Sequence, residues 1–221
     1  HETLNVDTQI GVPPWTPEEI QEYLERNEVS PGGGLVGEIE DVSGGLPVIL
    51  AHLVRKAELH EEGVQAGLAS DLEEASHVDG ELEQYYKTIW EPLEPYERDA
   101  TTLVALNPTG LHEGIVDAVV DLPYVQESIS LDEAPLAHIL DPLPDGRFRI
   151  FHDSFRAFTE GQLDEEEIEN GHERLYYYLF NQSTFFPTNL ESLRYHAEKG
   201  PGRSALKELA DLDYVLGWWQ D

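Results

Sequence analysis

The 221-residue sequence contains no cysteine and no methionine. Without cysteine there is no disulfide, no thiolate zinc site, no iron–sulfur cluster and no cysteine nucleophile. With no methionine even at position 1, and with His1 opening the chain, the sequence reads as an internal or C-terminal piece of a longer protein. Cations are scarce. Lys and Arg number 13 against 45 Asp and Glu, a formal net charge of −32, and only Lys56, Lys87, Lys199 and Lys207 are lysines. Phosphate backbones are neutralised by Lys and Arg, so general nucleic-acid binding is disfavoured. No apolar run approaches the roughly 20 residues a membrane helix needs. No basic-then-apolar leader opens the chain. The expectation is a cytoplasmic chain with neither membrane nor nucleic acid as a partner.

What is present is enough to fold. Hydrophobic residues make up 40% of the chain and aromatics 10%, so the acidity is not that of a disordered segment. A folded chain this acidic repels itself in dilute salt and is most at ease where salt screens it. The preference for Arg over Lys and for Asp and Glu over everything resembles proteins of salt-in, haloarchaeal organisms. The length fits one large domain or two to three small ones.

Local signals predict a mainly α chain. Leu4 and Val6 share one side of a short strand near the start. Thr16 and Glu19 form a capping box with Pro17 at the first helical position, so a helix runs to about Asn27 with Ile20, Tyr23 and Leu24 on one face. After a Pro/Gly break, a short helix is expected over about 35–42. Pro47 opens a stronger one to about His60, with Val48, Leu50, Leu53, Val54 and Leu59 in its apolar stripe. Residues 63–80, rich in glycine and acids, read as a linker with a turn of helix near 71–75. Helices follow over about 82–93, 96–106, 111–122 and 131–140. Leu143 to Phe151 alternates around Asp145-Gly146, a hairpin signal, and a helix is expected over 152–159. Three helices followed by a hairpin is the order of a winged-helix domain. Helices over 165–180, 189–199 and 204–218 suggest the start of an α-solenoid.

Most chemical signatures are missing. None of the four lysines follows a glycine, so there is no G-x-x-x-x-G-K-[ST] loop to cradle a triphosphate. Gly32, Gly34 and Gly37 match G-x-G-x-x-G, but no strand precedes them, and a flexible loop accounts for them. The nine histidines include no H-E-x-x-H pair. His52 and His60 lie two turns apart and are expected to be packed or exposed. His152-Asp153-Ser154 has the residue types of a hydrolase triad, but adjacent residues point to different sides and there is no G-x-S-x-G elbow.

Two short motifs rise above this background. Gly44-Gly45-Leu46-Pro47 allows a tight turn directly into a helix. Phe151-His152-Asp153-Ser154-Phe155 follows the hairpin. In order and context they resemble the STAND-type ATPases, which include the NB-ARC and NACHT regulators. There a GLPL or GxP motif opens a lid helix, and the following winged helix ends in a His-Asp motif often written MHD. Phe151 stands here where that motif has Met.

The resemblance implies a helical lid over 1–62, an acidic linker over 63–80, a winged helix over 81–160 and the start of TPR-like repeats over 161–221. Pro47 would pack against adenine, with Gly45 and Leu46 shaping the turn. His152 would reach the β-phosphate of ADP, and Asp153 would hold the local fold. ATP or ADP with Mg would be bound mainly by an upstream nucleotide-binding domain of the same chain. Protein partners would come through the repeats, with homo-oligomerisation on opening. The fragment would not be catalytic alone, having no Walker motifs, although its parent would be an ATPase. A winged helix also raises DNA readout, but no Lys or Arg occurs between Arg98 and Arg147, where phosphate and base contacts need them. The same absence disfavours a replication-type AAA+ initiator. The competing reading is a non-enzymatic helical interaction module in which Pro47 and His152 are merely structural.

Overall fold

A computed structural model describes residues 13–32, 34–74, 81–120, 129–133, 135–181 and 187–200. The described residues are mainly helical, with a small three-stranded antiparallel sheet. The chain divides into two compact units, His1–Thr88 and Ile89–Asp221.

In the first unit, α1 (Pro17–Arg26) starts as its capping box dictates. Glu19 N donates to Thr16 Oγ1 and Thr16 N to Glu19 Oε2, satisfying two otherwise orphaned donors. Ile20 and Leu24 are buried. Next come α2 (Leu35–Ser43), α3 (Pro47–Ala57) and α4 (Val64–Glu74). Ile49, Leu50, Leu53 and Val54 of α3 are buried, each worth roughly 1.5–3 kcal/mol of transfer free energy. The helix stops three residues short of the expected His60. Leu59, placed by the spacing in its stripe, lies past the end and is 46% exposed.

Residues 64–74, within the expected linker, are helical rather than a single turn near 71–75. They form α4, which packs on α3 through buried Leu68 and Leu72. Gly67 sits directly against the carbonyl of Ala57 and the His60 ring. Asp71 is buried but receives Lys56 Nζ at 2.7 Å and His60 Nε2 at 3.4 Å. The glycine and acid that suggest solvent are therefore the residues that seat this helix. Residues 75–80, the rest of the expected linker, lie outside the described residues. The division into units falls within α5 (Leu82–Trp90) rather than before it.

The second unit is built around α6 (Pro95–Ala105), buried from Ala100 to its end. It packs against α7 (Glu113–Val119), α8 (Asp153–Gly161) and α9 (Glu165–Asn181). Its sheet has the order β1-β3-β2, with β1 at Leu111–His112, β2 at Leu140–Pro142 and β3 at Arg147–Ile150. A hairpin, β2–β3, forms around the expected Asp145-Gly146 turn, with Leu140 opposite Ile150 and Gly146 at φ 81°, but its first strand lies ahead of Leu143, where the alternation begins. The edge strand β1 was not expected. It pairs across the sequence, Leu111 with Phe148, at the start of what the periodicity reads as one helix over 111–122.

The helix expected over 131–140 is also replaced. Pro135 has no N–H to give, and only a 3-10 turn at Leu136–His138 forms before β2 begins. Helix α10 (Pro187–Lys199) packs antiparallel on α9 around Tyr176, Leu179, Leu193 and Ala197. The expected strand near 4–6 and helix over 204–218 lie outside the described residues.

Candidate functional site

The Gly-Leu-Pro turn is set by backbone geometry. Gly44 ends α2 at φ 56° and Gly45 follows at φ 72°, both in the left-handed region. Trp15 N donates to Gly45 O at 2.7 Å, and a β-carbon on Gly45 would stand 2.7 Å from Trp15 O. Pro14 and Trp15 thus lie directly on the turn. Leu46 is the N-cap of α3 and Pro47 its first residue, with the first-turn position needing no N–H. Leu46 and Pro47 are half-buried.

The second motif begins α8. His152 is the N-cap, and its Nδ1 accepts the backbone N–H of Ser154 at 3.2 Å, with Ser154 Oγ 2.7 Å from the same nitrogen. An amide N–H only donates, so Nδ1 is the unprotonated nitrogen and the ring proton is on Nε2. Phe151 N donates to Ile139 O at 3.0 Å, which fixes the chain just before the cap. Phe151 packs on Phe155, with ring centroids 5.5 Å apart. Asp153 has a side chain 90% exposed and an ion pair to Arg156 at 3.3 Å. The local fold is held by His152 and Phe155 rather than by Asp153.

His152 lines a cavity of about 280 Å³ between α6, β3 and α8. Arg149 and Arg156 line it too, with Asn107, Phe151 and Asp153. Sequence reasoning passed over these arginines. The available signal was their place three residues before and four after His152, in a chain with 13 cations against 45 acids. A larger cavity, about 570 Å³, lies between α6 and α9. There Arg174 binds Asp99 through two bonds of 2.6 and 2.8 Å and donates to Val119 O at 3.3 Å.

Four other histidines have partners inside their own unit. His52 Nδ1 is 2.6 Å from Tyr85 Oη inside the first unit. Burial, then the charge of Asp71, push the Tyr85 phenol well above its ordinary value. His60 faces Asp71 instead, so the two-turn spacing of His52 and His60 brings them to no common site. His172 of α9 and His196 of α10 meet inside the second unit with Nδ1 atoms 2.8 Å apart. Among the described residues no cluster of three or more His, Asp or Glu could hold a metal ion, and no helix is long and apolar enough to cross a membrane.

No protein-family model matches the chain, and no curated protein matches it in sequence.

Proposed function

We propose that this chain is the nucleotide-sensing lid and winged-helix portion of a STAND-type ATP/ADP switch, followed by the first of its TPR-like helical repeats. The observation that carries this reading is the state of His152. Its Nδ1 is taken by the cap, which leaves Nε2–H as the ring's donor in a residue that lines a cavity together with two arginines. That is the chemistry a phosphate oxygen needs. The order of elements supports the winged helix: α5, α6 and α7 precede a hairpin whose second strand also pairs with β1.

In this reading an upstream domain of the same chain binds ATP or ADP with Mg. Pro47 meets adenine across the turn shaped by Gly45 and Leu46. His152 donates to the β-phosphate of ADP and holds the closed state. A contact present in only one of two states shifts the equilibrium between them. Exchange for ATP then opens the protein for oligomerisation in defence or regulatory signalling in the cytoplasm.

The test uses the parent protein. His152→Ala removes cap and donor together, whereas His152→Asn keeps an acceptor for Ser154 N and removes the donor. Both variants should release ADP about tenfold faster, as loss of one charge-assisted bond implies. An unchanged off-rate in His152→Asn refutes the role. The rival reading, a helical interaction module without nucleotide, is favoured by the fact that each motif has a local structural use: His152 caps α8, and Gly45 seats Trp15. It predicts that Pro47→Ala leaves the nucleotide affinity of the folded parent unchanged.

A further inference from the structure

We propose that Arg149 and Arg156 complete, with His152, a metal-independent phosphate site that takes the terminal phosphates of a nucleoside diphosphate or of pyrophosphate. The nucleotide as the source of that phosphate rests on the switch reading; the anion site itself does not.

The first argument is charge. In a chain with 13 cations against 45 acids, two arginines flank one histidine donor at a single small cavity. The second is how loosely they are held. Arg149 Nη2 is 3.7 Å from Asp141, and Arg156 is 3.3 Å from Asp153 and 3.9 Å from Glu160. Charge-assisted bonds close to about 2.7–2.9 Å, as Arg174 and Asp99 do in the same unit. These guanidinium donors are thus available to exchange a loose carboxylate for a phosphate oxygen.

The third argument is placement. Arg149 is on β3 and Arg156 on α8, and the two-residue link between these elements carries His152. Two donors therefore come from regular elements and the third from the N-cap between them, all within one short segment, with little to order on binding. Asp153 also lines the cavity and opposes an anion, but its side chain is 90% exposed and solvated. The volume, about 280 Å³, lies just under the ~300–1,000 Å³ of sites that enclose a whole small molecule. It suits one or two phosphates, with a nucleoside left outside.

The experiment is calorimetric titration of the 221-residue chain, with a chelator present, at the lowest potassium chloride concentration at which circular dichroism shows it folded. Pyrophosphate and ADP should bind, inorganic phosphate more weakly, and adenosine not at all. Arg149→Gln and Arg156→Gln should each weaken pyrophosphate about tenfold, and the Lys variants should recover part of the loss. Arg194→Gln, which removes a 74% exposed arginine paired with Glu198, should change nothing. That comparison separates a local site from net charge. Absence of pyrophosphate binding by the folded chain overturns the proposal. So does binding that the two Gln variants leave intact. If pyrophosphate binding depends on the arginines while ADP retention in the parent ignores His152 and Pro47, the anion site stands and the switch reading falls. If retention depends on His152 but not on the arginines, their assignment alone falls.

Discussion

The buried histidine pair between α9 and α10 makes the second unit acid-sensitive in a calculable way. His172 and His196 are 2% and 0% exposed, with Nδ1 atoms 2.8 Å apart. One ring must donate and the other accept, so the pair fits two neutral imidazoles. Burial, then Lys199, lower His172 from 6.5 to about 4. Burial, then His172 itself, lower His196 from 6.5 to about 3. The His196 Nε2 is buried with no partner, so a proton there gains no hydrogen bond. A second proton would put two N–H groups face to face.

Both folded values lie below the unfolded one, so the unfolded chain takes up protons first as pH falls. Stability is complete above about pH 6.5 and declines toward acid. Between pH 7.5 and 5 each ring removes about 2 kcal/mol, and the slope approaches about 1.4 kcal/mol per pH unit per ring. The assay is urea unfolding at intervals across that range, for the natural chain and for the His172→Asn/His196→Asn double variant. Asparagine places an amide near each Nδ1, keeping a hydrogen bond while deleting the titration. The 45 carboxylates titrate in both proteins, so the difference between the two slopes isolates the histidines. The double variant should start less stable, with part of each ring's volume lost, but lose less as pH falls. Equal pH slopes in the two proteins would refute the argument.

Gly45→Ala should destabilise the first unit by about 1–3 kcal/mol in thermal or urea unfolding, because φ is 72° and the new β-carbon meets Trp15 O at 2.7 Å. Arg174→Gln should lower the stability of the second unit by about 2–4 kcal/mol, since it leaves Asp99, 22% exposed, without its two-bond partner; Arg174→Lys should recover only part, because a point charge cannot reproduce the fork. The net charge of −32 predicts loss of helical circular dichroism near 0.1 M salt and recovery in the molar range, where the screening length falls to about 3 Å. Identical spectra at both concentrations would contradict the reading of the acidity as a salt adaptation.

What the sequence made legible is what is encoded within a few residues. The Thr16–Glu19 box, Pro17, Pro47 and Asp145-Gly146 each satisfy or withhold a backbone donor locally. Helix α1 and the β2–β3 hairpin follow from them without knowledge of the rest. What was not legible depends on partners distant in sequence. Helix α4 looks solvated until Lys56 and His60 are brought to Asp71 from the end of α3. Strand β1 is two residues long and exists only because β3 lies beside it. His172 looks like any helical apolar-face residue until α10 carries His196 to it. The arginines around His152 were hidden differently: each is unremarkable alone, and only the cavity shows them converging.

For His152 a structural role and the proposed functional one can be separated by experiment. A helix start that needs nothing but a cap is served better by Ser, Asp or Asn. Histidine does that work with Nδ1, and in doing so fixes which nitrogen holds the proton. Capping and donation are therefore the same arrangement seen from two sides of the ring. The substitution that separates them is His152→Asn, which restores a preferred cap and removes the opposite face. If His152 serves only the fold, α8 and the second unit should be as stable or more stable in that variant, with pyrophosphate binding unchanged. If it serves the cavity, stability should hold while anion affinity falls, and that combination is one a purely structural residue does not produce.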